Sequence, residues 1–346
     1  MTRVLLVRLG ALGDIVHAIP VAAALRRAMP DARIDWLVSA KHREILDLVP
    51  VIDHRLVVNG KGEAGGALGL LNAVRELRRS RYDIAIDLQG LLKSAAVARA
   101  SGAARVVGFT KRYLREPLAR LFYSDAHDPG GGGIYSPSDT RHVVQVNLSI
   151  LETLGVRPGP PEFPLAGNDP RTDATVSRML AATGGAYALL NPGAAWPNKR
   201  WPPTRLAKVA SALATGRGLK SVILWGPGEE ALAQQVVAES NGASVLAPAT
   251  TIADVVGLAR AATLMISGDT GPTHIGAAVG TPIVGLYGPT RPERNGPWLP
   301  EDITVSRAAI CQCHHLRRCK LDTMCLLDIQ VDEVLRAAER RLDARR

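Results

Sequence analysis

Residues 265–292 read MISGDTGPTHIGAAVGTPIVGLYGPTRP, and no other stretch narrows the choice of fold as far. The apolar run Leu264–Ile266 is long enough for a buried strand and is bounded by Ser267 and Gly268. Asp269, Thr270 and Gly271 follow, and Pro272 suits the first turn of a helix carrying His274 to Val279. A second apolar strand, Ile283–Tyr287, stops at Gly288 and Pro289. Strand, glycine turn, helix and strand form a parallel crossover unit, whose turn lies where such sheets bind ligands. There the amides of Thr270, Gly271 and Thr273 point toward any anion, a phosphate cradle without a Walker lysine. Taken alone, the D-T-G triplet reads better as an ordinary N-cap in which Asp269 holds its own helix. The rest of the chain shifts that balance.

The same alternation runs through both halves. Val4–Val7 is a continuous apolar run and predicts a central parallel strand, with an amphipathic helix over Ile15–Met29. Strands are expected at Arg33–Val38, Leu56–Val58, Asp83–Leu88 and Arg105–Gly108, with helices near His42–Leu48, Leu68–Ser80 and Leu91–Ala100. Ser124–Thr140 breaks the rhythm with Pro129, Gly130–Gly133 and Pro137, and reads as a mobile loop beside a site or as a connector. After a helix over His142–Leu154, the segment Gly155–Asp169 has linker composition, with Pro158, Pro160, Pro161 and Pro164. The alternation restarts at Tyr187–Asn191, Ser221–Trp225, Leu264–Ile266 and Ile283–Tyr287. This predicts an α/β chain of two Rossmann-like, doubly wound domains facing a cleft, residues 1–165 and 166–328. A last helix within 329–346 has Val331, Val334, Leu335, Ala338 and Leu342 on one face and could pack back on the first domain.

Charge bears on partners more than on fold. Lys and Arg number 42 against 32 Asp and Glu, a formal charge of +10. That balance suits nucleic acid, an anionic membrane face or an acidic substrate without choosing among them. No RNP-like, zinc-finger or basic helix-turn-helix pattern favours nucleic acid. No apolar run reaches the roughly 18 residues of a membrane span, and no leader precedes Val4–Val7, so a soluble cytoplasmic protein is expected.

Three turns carry candidate chemistry. The first strand ends in Arg8-Leu9-Gly10-Ala11-Leu12-Gly13-Asp14, a G-x-x-G-D turn and not the G-x-G-x-x-G of dinucleotide folds. Asp14 is an N-cap by default, yet facing a sugar nucleotide it is placed as general base toward an acceptor hydroxyl. His17, one turn on, reads as an orienting or packing residue. In the second half, Asn191-Pro192-Gly193 ends a strand, and Asn198-Lys199-Arg200-Trp201 brings a cation toward phosphates held by Thr270 and Gly271. Lys199 can neutralise a leaving diphosphate without magnesium, although an exposed loop lysine fits the spacing as well. Trp225-Gly226-Pro227-Gly228-Glu229-Glu230 ends another strand, where a glutamate accepts from ribose hydroxyls or favours the next helix N-terminus. Cys311, Cys313, Cys319 and Cys325 cluster with His314 and His315, but their spacing matches no common zinc site, and packed or paired thiols are expected instead.

GDTGPTHIGAAVGTPIVGLYGPTRP, GALGDIVHAIP and NPGAAWPNKRWPP resemble the donor-site, N-terminal-loop and diphosphate-side motifs of the bacterial ADP-heptose:lipopolysaccharide heptosyltransferases, glycosyltransferase family 9. IDLQGLLKSA (Ile86–Ala95) and REPLARLFY (Arg115–Tyr123) look most like the type I members, which add the first heptose to Kdo. The resemblance implies a glycosyltransferase-B fold, inversion at the anomeric carbon, no metal, no cofactor, and ADP-L-glycero-D-manno-heptose as donor. It implies Asp14 as catalytic base and Lys199 as diphosphate contact. Asn191, Trp225, Glu229 or Glu230, Asp269, Thr270, Gly271 and His274 would complete the donor site. Gly13, Lys41, Arg43, Gln89, Lys93 and Arg115 would meet an anionic Kdo-lipid A acceptor at the cytoplasmic face of the inner membrane. The tail ending Cys325-Leu326-Leu327-Asp328-Ile329 looks more like the broader family, including the second heptosyltransferase, so a different acceptor stays open. Two other classes fit the residues less well: a sugar-nucleotide epimerase on the same two-domain plan, and a non-enzymatic basic binding protein.

Overall fold

Val4, Leu5, Leu6 and Val7 have no solvent exposure, because the strand they form has a neighbour on each side and helices on both faces. This strand, β1 (Arg3–Val7), belongs to a six-stranded parallel sheet with β2 (Arg33–Ser39), β3 (His54–Val58), β4 (Ile84–Asp87), β5 (Arg105–Phe109) and β6 (Asp125–His127). The strand order is β3-β2-β1-β4-β5-β6, with Val4 opposite Ile34 on one side and Ile84 on the other. The order reverses between β1 and β4, which is where open α/β sheets gather ligands at their carboxyl ends.

In the computed structural model the described residues are 1–58, 74–136, 138–167, 169–314, 316–319 and 324–344. They divide into two units, Met1–Ala166 and Gly167–Arg346. The second unit repeats the plan with β7 (Ala188–Asn191), β8 (Ser221–Ile223), β9 (Ser244–Leu246), β10 (Leu264–Gly268), β11 (Ile283–Tyr287) and β12 (Ile303–Ser306). Its order, β12-β11-β10-β7-β8-β9, is that of the first sheet read from the opposite edge. The switch point falls between β7 and β10, so the turns after Asn191 and Gly268 are neighbours.

Several elements depart from the expected ones. The helix expected over Ile15–Met29 is two, Leu12–Val16 and Ile19–Ala28, because the chain turns at His17 and Ala18. Val143–Ser149 is α-helical and tightens into a 3-10 turn over Ile150–Leu154. Residues 74–79 are helical, and the rest of the helix expected from Leu68 lies outside the described residues, as do Pro137 and His315.

The tract Ser124–Thr140 is no loose loop. It begins with the edge strand β6, and Arg141 then ties it down by donating to the carbonyls of Pro129 and Gly130 and to Asp139. Tyr113 donates to the Gly130 carbonyl at 2.5 Å. Gly130, Gly131 and Gly133 all have positive φ, and a side chain at Gly131 would strike the Arg141 guanidinium. These glycines allow the chain to wrap closely around one arginine.

The last helix, Val331–Asp343, buries Val334, Ala337 and Ala338 in the core of the second unit, together with Leu206, Leu264 and Val284. Its apolar face is thus occupied by the second sheet. Arg341, 5% exposed, donates to Asp302 at 2.9 Å and anchors the helix where Asp302 also accepts from the Ile283 amide.

Candidate functional site

The turn after β10 departs from the N-cap read from its triplet. Thr270, not Asp269, is the N-cap of the Gly271–Ala278 helix, and its side chain makes no cap bond. Its hydroxyl instead meets the Asn191 amide at 3.1 Å and Thr273 Oγ1 at 3.1 Å. Thr273 donates to the Gly268 carbonyl at 2.6 Å, and Asn191 Nδ2 reaches Ser267 Oγ at 3.2 Å and the Gly193 carbonyl at 3.3 Å. One polar network therefore locks the β7 and β10 turns together. With Thr270 engaged in it, the first-turn amides of the helix have no intrahelical partner and retain the positive end of the dipole.

Asp269 is 6% exposed and sits between two cationic or dipolar partners. Lys199 Nζ lies 2.5 Å from its Oδ2, and His274 Nε2 lies 3.0 Å from its Oδ1. Burial works against a charge on Asp269, but the His274 hydrogen bond and the Lys199 ammonium outweigh it and hold the carboxyl well below the usual carboxylate range. The Lys199 ammonium also stands 4.5 Å above the Trp196 ring. The backbone adds a constraint, since a Cβ on Gly268 would come within 2.9 Å of the Lys199 carbonyl. Lys199 is thus oriented from three sides, and with its side chain 14% exposed it is not an exposed loop lysine.

Asn198, the residue before Lys199, is 1% exposed and joins this turn to the cysteine-rich segment. Its amide donates to the Leu316 carbonyl at 3.0 Å and approaches Cys313 Sγ at 3.7 Å. Cys311 and Cys313 bring their sulfurs within 3.4 Å, and none of the four cysteines is in a disulfide. Burial pushes the Cys313 thiol up to about 12. Among the described residues, no group of three or more His, Cys, Asp or Glu is arranged to hold a metal ion.

The two glutamates separate clearly. Glu229 Oε2 accepts from the Gly226 amide at 3.2 Å and lies so close to Gly193 that a Cβ there would overlap it. Glu230 is exposed, opens the Glu230–Glu239 helix and accepts from Gln234 at 3.2 Å. Trp225 is fixed by its indole, which donates to the Ala247 carbonyl at 2.8 Å.

In the first unit the turn after β1 brings together Asp14 and residues remote in sequence. Asp14 lies in the Leu12–Val16 helix, accepts from the Ala11 amide at 3.2 Å and pairs with Arg8 Nη2 at 2.8 Å. Burial again opposes its charge, while Arg8, the Ala11 amide and Arg115 together lower its pKa. The carboxylate therefore holds its own helix and also presents a negative charge at the sheet's switch point. Gln89 Oε1 accepts from the Leu9 amide at 2.6 Å and so braces this turn. Beneath it Asp87, fully buried, accepts from Tyr123 at 2.7 Å, Ser94 at 2.9 Å and the Gln89 amide at 2.9 Å. Gly13 is buried in the turn, and Lys41, Arg43, Lys93 and Arg115 are exposed.

His17 is 5% exposed and packs edge-on to His142 at 5.5 Å, in a packing role. Sequence reasoning missed Arg8 and His42. The His42 ring packs on Gly10, where a Cβ would meet it at 2.8 Å, and burial lowers its pKa. A cation as the last residue before a G-x-x-G-D turn was the available signal for Arg8; His42 carried none.

A profile of glycosyltransferase family 9 (heptosyltransferase) matches residues 70–324. Lipopolysaccharide heptosyltransferase 1 of Pseudomonas aeruginosa is 30% identical over 311 residues, covering 85% of this chain and 81% of that protein. A crystal structure of the glycosyl transferase family 9 protein of Veillonella parvula superposes with a TM-score of 0.82 at 25% identity, over 99% of this chain and 98% of that one. The structure of E. coli heptosyltransferase WaaC with ADP superposes with a TM-score of 0.77 at 22% identity, covering 98% of this chain and all of that one.

Proposed function

The chain belongs to glycosyltransferase family 9, the heptosyltransferases, and on that premise we propose that it transfers L-glycero-D-manno-heptose from ADP-heptose to a Kdo residue of the lipopolysaccharide inner core. One observation carries this reading above the others: Lys199, oriented by Asp269 and Trp196, stands beside the open helix start at Thr270 and Gly271. A diphosphate gains there both an ammonium and a helix dipole, already positioned before it arrives. Glu229 receives the ribose hydroxyls, and Asn191 and Thr270 hold the turn that supplies the amides. Asp269 acts chiefly by fixing Lys199 and His274, and keeps lone pairs for a sugar hydroxyl.

The first unit supplies the acceptor side. Asp14 takes the proton of the acceptor hydroxyl as its oxygen bonds to the anomeric carbon. The bond from that carbon to the diphosphate breaks, its electron pair leaves with ADP, and the configuration inverts. Arg8 keeps Asp14 ionised and aimed, and Arg115, Lys93, Lys41 and Arg43 receive the carboxylates and phosphates of the acceptor. The protein works at the cytoplasmic face of the inner membrane, and among its described residues no helix is long and apolar enough to cross a membrane.

The cysteine-rich tail supports a second reading of the acceptor, in which an already heptosylated core is extended. Purified protein incubated with ADP-heptose and either Kdo-lipid A or the mono-heptosylated acceptor decides between them, with ADP release and product mass as readouts. Turnover of neither acceptor, with the protein folded and stabilised by ADP, would refute both.

A further inference from the structure

The 3-10 helix Pro117–Phe122 carries two of the most exposed large apolar side chains of the described residues, Leu118 at 62% and Leu121 at 76% exposure. Residues three apart eclipse on a 3-10 helix, so both leucines project from the same side. Ala119, fully buried, faces the protein. Leu92, also exposed, borders this surface, because its amide donates to Glu116 at 2.6 Å.

Cations flank the leucines along the chain, Arg115 before Leu118 and Arg120 before Leu121. Lys111, Arg112 and Arg120 meet around a shallow pocket of ≈ 370 Å³ that also includes Thr110 and Asp128. Arg112 is neutralised by Asp128, whereas Lys111, Arg115 and Arg120 make no ion pair among the described residues, and Arg120 Nη1 donates to the Tyr123 carbonyl at 2.9 Å. Glu116 is occupied by the Leu92 amide. Stacked leucines with a cationic border suit neither solvent nor a neutral protein groove; they match the boundary between acyl chains and anionic headgroups.

We infer that the Lys111–Phe122 segment docks the protein on an anionic lipid bilayer, Leu118 and Leu121 entering the acyl boundary while Lys111 and Arg120 meet lipid phosphates. The inference deepens the membrane part of the reading above, and adds a geometric reason for it. Arg115, whose charge reaches Asp14, precedes Leu118 by three residues, a span of about 10 Å at most. A bilayer held by these leucines would bring a lipid-borne sugar to the turn that carries Asp14.

The test is co-sedimentation of the full chain with vesicles of phosphatidylglycerol and phosphatidylethanolamine, against vesicles of phosphatidylcholine alone, with no substrate present. Wild type should bind the anionic vesicles, less tightly as salt rises, and not the neutral ones. Leu118→Ser with Leu121→Ser should weaken binding at least about tenfold, and Lys111→Glu with Arg120→Glu by about fivefold or more for each residue. Both variants should keep the wild-type thermal shift with ADP and turnover of a delipidated, water-soluble acceptor. Those two controls test the transferase reading separately from docking. Equal vesicle affinity of the leucine variant and wild type, or wild-type binding to neutral vesicles as strong as to anionic ones, would overturn the inference.

Discussion

Lys199 and Asp269 lie 70 residues apart in the chain and 2.5 Å apart in space, side chains 14% and 4% exposed. Removing one member of so buried a pair leaves the other uncompensated, which costs about 3–5 kcal/mol. Lys199→Met and Asp269→Asn should each destabilise on that scale, and the double variant by less than their sum, as urea unfolding would read. The acid dependence has a definite sign. Asp269 titrates below its unfolded value, so its contribution is complete above about pH 4 and is lost as pH falls through the folded value. Wild type and Asp269→Asn should therefore converge in stability only in strong acid.

The same pair predicts a ligand effect. ADP should raise the melting temperature of the wild type, and Asp269→Ala should remove most of that rise because Lys199 loses its orientation. Equal stabilisation of both proteins by ADP would place the diphosphate elsewhere.

For Asp14 the expectation is kinetic. A positioned base contributes roughly 100- to 10,000-fold, so Asp14→Asn should lose turnover by about that factor while ADP still binds the second unit. Asn keeps an oxygen that accepts from the Ala11 amide but leaves the partly buried Arg8 without its ion-pair partner, so stability should fall by about 1–3 kcal/mol while the fold survives. Because Arg8 and Arg115 help to hold Asp14 below its ordinary value, the acid limb of kcat/KM should lie below about pH 4. A limb near neutrality would transfer the role to a histidine, with His42, packed on Gly10, ahead of His17.

Glu229 and Glu230 differ in position and should differ in effect. Glu229→Gln should weaken ADP binding by roughly tenfold, the scale of one charged hydrogen bond, since that carboxylate lies against Gly193. Glu230→Gln alters an exposed helix start and should leave ADP affinity within about twofold. Titration calorimetry with ADP distinguishes the two.

Charge neutralisation by Lys199 and helix amides predicts that turnover survives excess EDTA. Loss of activity with chelator and its return with magnesium or zinc would show that the diphosphate or the cysteine segment depends on a metal.

Much of this protein follows from local pattern. Runs such as Val4–Val7 and Ile283–Tyr287 are apolar without alternation, which only a strand covered on both faces tolerates, and the glycine turns after them fix where a parallel sheet must open. Both doubly wound halves and the turns at Asp14 and Thr270 are legible in that way. Strands β6, β9 and β12 are not, because each lies at a sheet edge, lacks the continuous apolar run of a central strand, and is made by pairing with an existing sheet. Long-range contact decided the rest. The pairing of Lys199 with Asp269, the seating of Asn198 on the cysteine segment, and the placement of Glu229 rather than Glu230 against Gly193 join residues that no local spacing relates. The last helix shows the same limit: its amphipathic stripe determines that it must cover something apolar, and only the folded core determines that the surface is the second sheet.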